Sequence, residues 1–366
     1  MGDSYDLAII GASFAGLVAA REAAARGLSV VVLERKDTPG AAMHTTGILV
    51  KEAAELMAFP AHLVRRIEGV RLYAPSLKFI DLLSEGYYFL ATDTSGLIRW
   101  LADRARAAGA EIRCAAPFAG AEREGETWLL AGHDIAARYL IGADGARSSV
   151  AEHLGLGRNR KFLVGLEIEY DQLGNLDGRF LHTFLDRSLA PGYIAWVVPG
   201  AGVVQVGLAC KRADKPNLQA FIERIEHLFD LKHSNIVERR SGLIPVGGIV
   251  KPAGASRVLL VGDAAGTVSP LTAGGIFTAF DFGARAGHAV ADFLRDGAAD
   301  PAFTLPGAYP RYRFKKHLRT LADLGPPNWL FNILLGTRPM RALAKLVYFH
   351  TKGLKSKQAW KDVVRK

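Results

Sequence analysis

The stretch LAIIGASFAGLVAAREAAARGLSVVVLER, residues 7–35, restricts this chain to a small set of folds. LAII and VVVLE are short unbroken apolar runs, as strands buried on both faces of a parallel sheet require. The segment between them is rich in strong helix formers and stops at Gly27. Gly11 permits a tight turn after the first strand, and Gly16 lets the helix lie close to the sheet. These are two of the three glycines of the dinucleotide fingerprint G-x-G-x-x-G, and Ser13 fills the third position. Serine is small enough for the backbone to approach a pyrophosphate, and its hydroxyl can donate to one. The helix start, with Ala15 in its first turn, offers free N–H groups and a positive dipole end to phosphate. Glu34, followed by Arg35, closes the second strand about 20 residues on, where a carboxylate can accept ribose hydroxyls. The spacing predicts a dinucleotide site. The competing reading is a strand–helix–strand unit without a ligand, and the motif does not say which dinucleotide is bound.

A chain of 366 residues exceeds one typical core, so two or more domains are expected. Cys114 and Cys210 are far apart with no C-x-x-C, which argues against a disulfide framework or a zinc site, and no metal is expected. Apolar strand sequence begins by Leu7, leaving no room for a signal peptide, so a cytoplasmic location is expected. No uncharged run of roughly 18 apolar residues predicts a membrane span. The net charge of +10 is concentrated: residues 311–366 hold 14 Lys/Arg against Asp323 and Asp362, while the rest is nearly neutral. A basic tail is compatible with nucleic acid, an anionic membrane or simple solubility.

Two later stretches narrow the reading. ARYLIGADGARSSVAEHLG, residues 137–155, runs from an apolar strand into Asp144-Gly145 and then serines at a helix start. A capped strand-to-helix turn would look the same. RVLLVGDAAGTVSPLTAGGIFTAFDFGARAG, residues 257–287, ends a strand at Gly262-Asp263, then carries Pro270 and the pair Gly274-Gly275 opening a long helix. Such a strand can present Asp263 to a ribityl hydroxyl. Such a helix can aim N–H groups at the electron-rich edge of a flavin. The three pieces in this order resemble the FAD-binding elements of the para-hydroxybenzoate hydroxylase-like flavoproteins. That resemblance implies FAD, held by Gly11, Ser13, Ala15, Gly16, Glu34, Arg35, Asp144, Gly262, Asp263, Pro270, Gly274 and Gly275.

The middle of the chain reads as antiparallel sheet. FLVGLEIEYD, GRFLHTFLDR, GYIAWVVPG and GVVQVGLAC are alternating or apolar runs broken by turn residues, followed by the helix NLQAFIERIEHLFD. GVRLYA, LKFIDL and YYFLATD are expected to join the same sheet. The fold class expected is α/β: a Rossmann-like FAD-binding domain, an inserted antiparallel β-sheet substrate domain and a helical C-terminal tail. The boundaries expected are 1–66, 91–158 and 251–295 for the FAD domain, 67–90 and 159–250 for the substrate domain, and 296–366 for the tail. Glu167 and Glu169 share a strand face and read as a solvated edge rather than an acid/base pair.

PGYIAWVVPGAGVVQVGL, residues 191–208, resembles a stretch of the geranylgeranyl reductase family, which Gly192, Tyr193, Trp196, Pro199, Val206, Gly207 and Leu208 match. The resemblance covers residues 5 to about 295. It implies saturation of double bonds in a polyprenyl chain, often lipid-borne; no second nucleotide fold is visible, which leaves NADPH or a reduced ferredoxin open as the electron donor. It also implies that the loop TPGAAMHTTGIL, residues 38–49, serves the chemistry. Family members often carry Cys-Gly in that loop; here His44, Thr45 and Thr46 precede Gly47, and Thr94 stands where an arginine is usual. His44, Thr45, Thr46 and Tyr193 are therefore the candidate catalytic residues, with His44 the first choice for proton donor. Tyr193 and Trp196 are the candidate substrate-lining residues. Basic residues mixed with Trp, Tyr, Phe and Leu in the tail suit peripheral contact with the inner membrane face, and nucleic acid is not expected. The rival readings are a flavin monooxygenase, an electron-transfer flavoprotein docked on a membrane, and a lipid-binding flavoprotein without activity.

Overall fold

The computed structural model of the protein describes residues 2–349. The chain begins β1 (Asp3–Ile10), α1 (Phe14–Ala25), β2 (Val30–Leu33), β3 (Ile48–Val50), α2 (Lys51–Ala54), β4 (Val64–Ile67), β5 (Gly69–Tyr73), β6 (Phe79–Leu83) and β7 (Phe89–Thr92). It continues α3 (Thr94–Ala107), β8 (Glu111–Arg113), β9 (Ala121–Glu124), β10 (Thr127–Leu130), β11 (Ile135–Gly142), α4 (Ser149–His153), β12 (Phe162–Tyr170), β13 (Phe180–Phe184) and β14 (Ala195–Pro199). It ends β15 (Val204–Lys211), α5 (Leu218–Ile225), β16 (Ile236–Pro245), β17 (Gly254–Ala255), β18 (Val258–Leu260), α6 (Ile276–Asp296), α7 (Pro301–Thr304), α8 (Arg313–Asp323), α9 (Asn328–Leu334) and α10 (Arg338–Phe349).

Two compact units result. Among the described residues, the first comprises 2–42, Ser95–Lys161 and Pro245–Arg313; the second comprises Met43–Thr94, Phe162–Ile244 and 314–349. Residues 43–66 and 91–94, read from the sequence with the cofactor domain, cluster with the second unit, because β3, β4 and β7 pair with one another. The tail likewise divides, with 296–313 in the first unit and the helices beyond it in the second.

In the first unit the sheet order is β17-β18-β11-β1-β2-β8, with the β9–β10 hairpin on β11. β1 pairs in parallel with β2 on one side and β11 on the other, and β11 pairs in parallel with β18. With β8 parallel to β2, five strands thus end at one edge, and the sheet extends from β1 to opposite sides, the arrangement that opens a crevice there. Leu7, Ala8 and Ile9 are fully buried at the centre. α6 crosses α1 closely through two glycines one turn apart: a Cβ at Gly283 would lie 2.6 Å from the Ala15 carbonyl oxygen, and one at Gly287 2.5 Å from that of Ala19.

In the second unit the large sheet runs β16-β12-β15-β14-β13-β5-β6. The segment YYFLATD does not join it. β7 instead sits between β3 and β4 in a separate three-stranded sheet, where all four of its residues are buried. One face of the large sheet packs Ile168, Val197, Val206 and Leu208 against Phe221 and Ile225 of α5. The other packs Val70, Leu72, Leu181 and Val198 with Phe89, Leu335, Ala344 and Phe349, so the C-terminal helices are docked elements of this unit.

Candidate functional site

The cradle in the first unit is built from strand ends. Gly11 adopts φ +106°, and a Cβ there would lie 2.5 Å from the Ala143 carbonyl oxygen; a Cβ on Gly16 would lie 2.0 Å from the Gly11 carbonyl oxygen. The β1–α1 turn is therefore closed to any side chain at either position. Ser13 occupies the cap position of α1, yet its hydroxyl makes no capping hydrogen bond. Ala15 is buried where the turn meets Gly262. Glu34 is buried at the end of β2, and its Oε2 accepts the Ala12 N–H at 2.8 Å, which fixes the carboxylate beside the turn. Arg35 follows it, exposed.

Asp144, just past β11, uses Oδ2 to accept from Ser149 Oγ at 2.8 Å and from the Val150 N–H at 3.0 Å. The turn is thus capped as its sequence also allowed, but Oδ1 is buried with no hydrogen-bond partner among the described residues. Beyond β18, the half-buried Asp263 carboxylate faces Gly275 and makes no side-chain hydrogen bond among the described residues; burial pushes its pKa up to about 6. Gly275 caps the 21-residue α6, again without a side-chain bond. Pro270 is buried and precedes a turn that Ser269 and Gly274 close at 3.0 Å, with Ala273 held at φ +51°. Unpaired carboxylate oxygens, two uncapped helix starts and a turn that excludes side chains fit a ligand carrying phosphates and hydroxyls. FAD is such a ligand.

The second unit holds a buried polar cluster that sequence reasoning missed. Glu167 and Glu169 are each 5% exposed and are not a solvated edge. They lie on the β12 face opposite α5, where Glu167 stands in register with Gly207, and Gly207 with Trp196. A Cβ on Gly207 would lie 2.7 Å from the Trp196 indole. The glycine therefore lets the ring lie over β15 and its Nε1–H donate to Glu167 Oε2 at 2.9 Å. Thr46 Oγ1 donates to the same oxygen at 2.6 Å. Gln205 Nε2 donates to the Thr46 carbonyl at 2.9 Å and to Glu169 Oε1 at 3.0 Å. Arg240 of β16, its side chain also 5% exposed, places Nη1 2.7 Å from Glu169 Oε1 and 3.8 Å from Glu167 Oε1, and Nη2 2.7 Å from Glu238. Burial holds both carboxyls above the usual carboxylate range, against the hydrogen bonds and the Arg240 charge that pull them down.

The loop that carries Thr46 is positioned from beneath. Thr92 Oγ1 donates to the Gly47 carbonyl at 2.8 Å, and Thr94 Oγ1 donates to that of Thr46 at 3.3 Å. A Cβ on Gly47 would collide with both hydroxyls, which ties the glycine to these threonines. His44 is exposed, and its Nδ1–H donates to the Ser241 carbonyl at 2.8 Å, which sets its tautomer. Thr45 is half-buried between His44 and Thr46. Tyr193 lies in the turn before β14, and burial raises its phenol pKa, with the Arg319 charge opposing. Thr46 and Trp196 are thus joined through Glu167, whereas His44 and Tyr193 are held by other partners.

The family model described as FAD binding domain matches residues 4–304. Digeranylgeranylglycerophospholipid reductase of Methanocaldococcus jannaschii is 28% identical over 308 residues, covering 81% of this chain and 79% of that protein. Digeranylgeranylglycerophospholipid reductase 3 of Methanosphaera stadtmanae is 31% identical over 314 residues, covering 80% and 78%. Among solved structures, a geranylgeranyl bacteriochlorophyll reductase-like protein of Thermoplasma acidophilum superposes with a TM-score of 0.82 at 21% identity, over 99% of this chain and 98% of that one. The p-nitrophenol 4-monooxygenase of Pseudomonas putida superposes at 0.70 with 17% identity, over 99% and 97%. These two likenesses show a shared fold.

Proposed function

The chain belongs to the FAD-binding-domain family and, within it, to the geranylgeranyl reductase family of FAD-dependent oxidoreductases, and on that footing we propose that it saturates double bonds in a geranylgeranyl-type chain carried on a lipid. One observation carries the reading: relatives matched over about four-fifths of both chains are named digeranylgeranylglycerophospholipid reductases. Reduced FAD, when bound, supplies hydride to one alkene carbon. The protein must hold the cofactor, position the alkene, keep water out and supply a proton to the other carbon. Gly11, Ser13, Ala15, Gly16, Glu34, Arg35 and Asp144 would hold the dinucleotide, and Gly262, Asp263, Pro270, Gly274 and Gly275 its flavin end. Trp196 and Tyr193 are the proposed substrate-lining residues, and the His44–Thr46 loop the proton-handling segment.

The test starts from holoprotein reduced anaerobically. Geranylgeranylated lipid is expected to reoxidise the flavin, with hydrogen pairs gained by the prenyl chain in the product mass; geranylgeranyl diphosphate reports the head-group preference. No reoxidation by either, with hydroxylated product from oxygen and an apolar substrate, would instead establish a monooxygenase. Supplying NADPH and reduced ferredoxin separately to the oxidised protein identifies the electron donor.

A lipid-borne substrate is also consistent with the surface of the C-terminal helices. Among the described residues no helix is long and apolar enough to cross a membrane. Leu335, Ala344 and Phe349 anchor α9 and α10, while Phe314, Leu321, Leu324, Trp329 and Ile333 are each more than half exposed. Lys316, Arg338, Arg341 and Lys345 are exposed along the same helices. The basic segment from His350 lies outside the described residues. We propose peripheral contact with an anionic bilayer, each basic residue near its surface adding about 1 kcal/mol. Vesicles containing anionic lipid are expected to sediment the protein and to release it at high salt. The pair Trp329→Ser and Ile333→Ser is expected to weaken binding at least ~10-fold, since each apolar side chain withdrawn from water contributes about 1.5–3 kcal/mol. Wild-type protein that stays in the supernatant at low salt would end the membrane reading.

A further inference from the structure

We propose that Glu167 is the proton reservoir of the reduction, acting as a positioning residue that delivers its proton through the Thr46 hydroxyl. The proposal rests on the alkene-reduction reading and adds the source of its proton. Saturating one double bond needs a hydride at one carbon and a proton at the other, and the flavin accounts for the hydride alone. Of the residues on the 43–47 loop, His44 is exposed and committed to the Ser241 carbonyl. Thr46 is the residue whose side chain reaches a buried acid, at 2.6 Å.

A threonine hydroxyl is far too weak an acid to give up its proton alone. Once Glu167 is neutral the 2.6 Å contact reverses, Oε2–H donating to Thr46 Oγ1, and the hydroxyl can then pass its own proton to carbon while taking this one. The new C–H bond forms as the Thr46 O–H bond breaks, the Glu167 O–H bond breaks as the Thr46 O–H is remade, and Glu167 is left as carboxylate. The surroundings suit both states. Burial favours the neutral acid, whose Oε1 has no hydrogen-bond partner among the described residues. The Trp196 N–H and the Arg240 guanidinium stabilise the carboxylate once the proton has left. The charged and titratable groups around the Glu167–Glu169 pair are the two acids themselves on β12, Arg240 and Glu238 on β16, and Asp93, which follows β7 and acts on Glu169. Arg240 is the one cation among them that lies within 4 Å of Glu167.

Glu167→Gln keeps the shape of the side chain and removes the acid. In single turnover of reduced holoprotein with geranylgeranylated lipid, the wild-type alkene step is expected to be fast at low pH and to slow as pH rises through the elevated Glu167 pKa. Glu167→Gln is expected to slow the step ~100-fold, the loss usual for a missing general acid, and to remove that pH dependence. Flavin content and the rate of flavin reduction should be unchanged. Thr46→Val should match the loss, and Thr46→Ser should restore it. A second readout needs no turnover: in a pH titration of holoprotein, the infrared carbonyl stretch of protonated carboxyl should persist above the usual carboxylate range, and Glu167→Gln should remove part of it. A Glu167→Gln protein with the wild-type rate and pH profile, or a carboxyl band indifferent to the substitution, would overturn the proposal alone. Wild-type protein that reduces no prenyl chain would overturn the reduction reading and the proposal with it.

Discussion

Gly16→Val is expected to yield a chain that purifies without flavin and binds added FAD at least ~100-fold more weakly. A Cβ at position 16 would lie 2.0 Å from the Gly11 carbonyl oxygen and 3.2 Å from the Ala143 Cβ, so the obstacle is backbone on one side and the β11 exit on the other. Backbone cannot rotate out of the way as a lysine tip can. The first turn of α1 must therefore lift from the strand ends, carrying with it the N–H groups that would meet the pyrophosphate. Overpacking of this kind costs about 1–3 kcal/mol, and a 3 kcal/mol loss concentrated on the bound state is about two powers of ten in affinity. Gly145 supplies the contrast. It sits in the same cradle at φ +84°, but a Cβ there has nothing within 4 Å. Gly145→Ala meets only the strain of the left-handed backbone, about 1–2 kcal/mol, and should keep its flavin. The check is the ratio of flavin to protein absorbance after purification, followed by fluorescence titration of each apoprotein with FAD. A Gly16→Val protein carrying one flavin per chain would show that α1 can move without loss of the site.

The difference between these two glycines also shows where sequence reading succeeds. Parallel strands buried on both faces appear as unbroken apolar runs, and their ends carry the loops that bind ligand, so β1, β11 and β18 with their adjoining loops were legible from local pattern. The fingerprint spacing marks Gly16 for a close approach, but that the space around Gly145 stays open is set by residues distant in the chain. The polar cluster was illegible for a related reason. In VGLEIEY the alternation of Glu167 and Glu169 with apolar residues is what a half-exposed strand would show. Their face becomes interior because Arg240, more than 70 residues on, and the Thr46 loop, more than 120 residues before, cover it. The VERR of β16 likewise reads as surface until its partners are known. The one usable hint was Gly207 in the match to the family stretch, a glycine inside a buried strand, which marks close approach by another group. That group is the Trp196 ring. The misplacement of YYFLATD has the same origin: a strand's propensity is local, but its partners are not.

Arg240→Met should destabilise the protein by about 3–5 kcal/mol at neutral pH, because it leaves Glu167 and Glu169 buried without their cation. The size of the effect should depend on pH in a defined direction. Both carboxyls already titrate above the usual carboxylate range, chiefly through burial, and the Arg240 charge is one of the influences holding them down. Without it they rise further. A group whose pKa is higher in the folded state stabilises most when both states are protonated, and that contribution is lost as pH rises through the folded value. The gap between wild type and Arg240→Met should therefore be smallest near pH 4, close to the unfolded carboxylate pKa of about 4.3, and widen steadily toward pH 8. Adding Glu169→Gln to Arg240→Met should recover much of the neutral-pH loss, since the amide that replaces the Glu169 carboxylate can still accept from Gln205 while no longer bringing a buried charge. Urea midpoints of the wild type, the single variant and the double variant at several pH values decide the matter. A deficit that stays constant across this range would mean that Arg240 acts by packing its stem rather than by charge. It would also mean that Glu167 does not depend on Arg240 when it gives up its proton, leaving the Trp196 N–H and the Thr46 hydroxyl to hold the carboxylate.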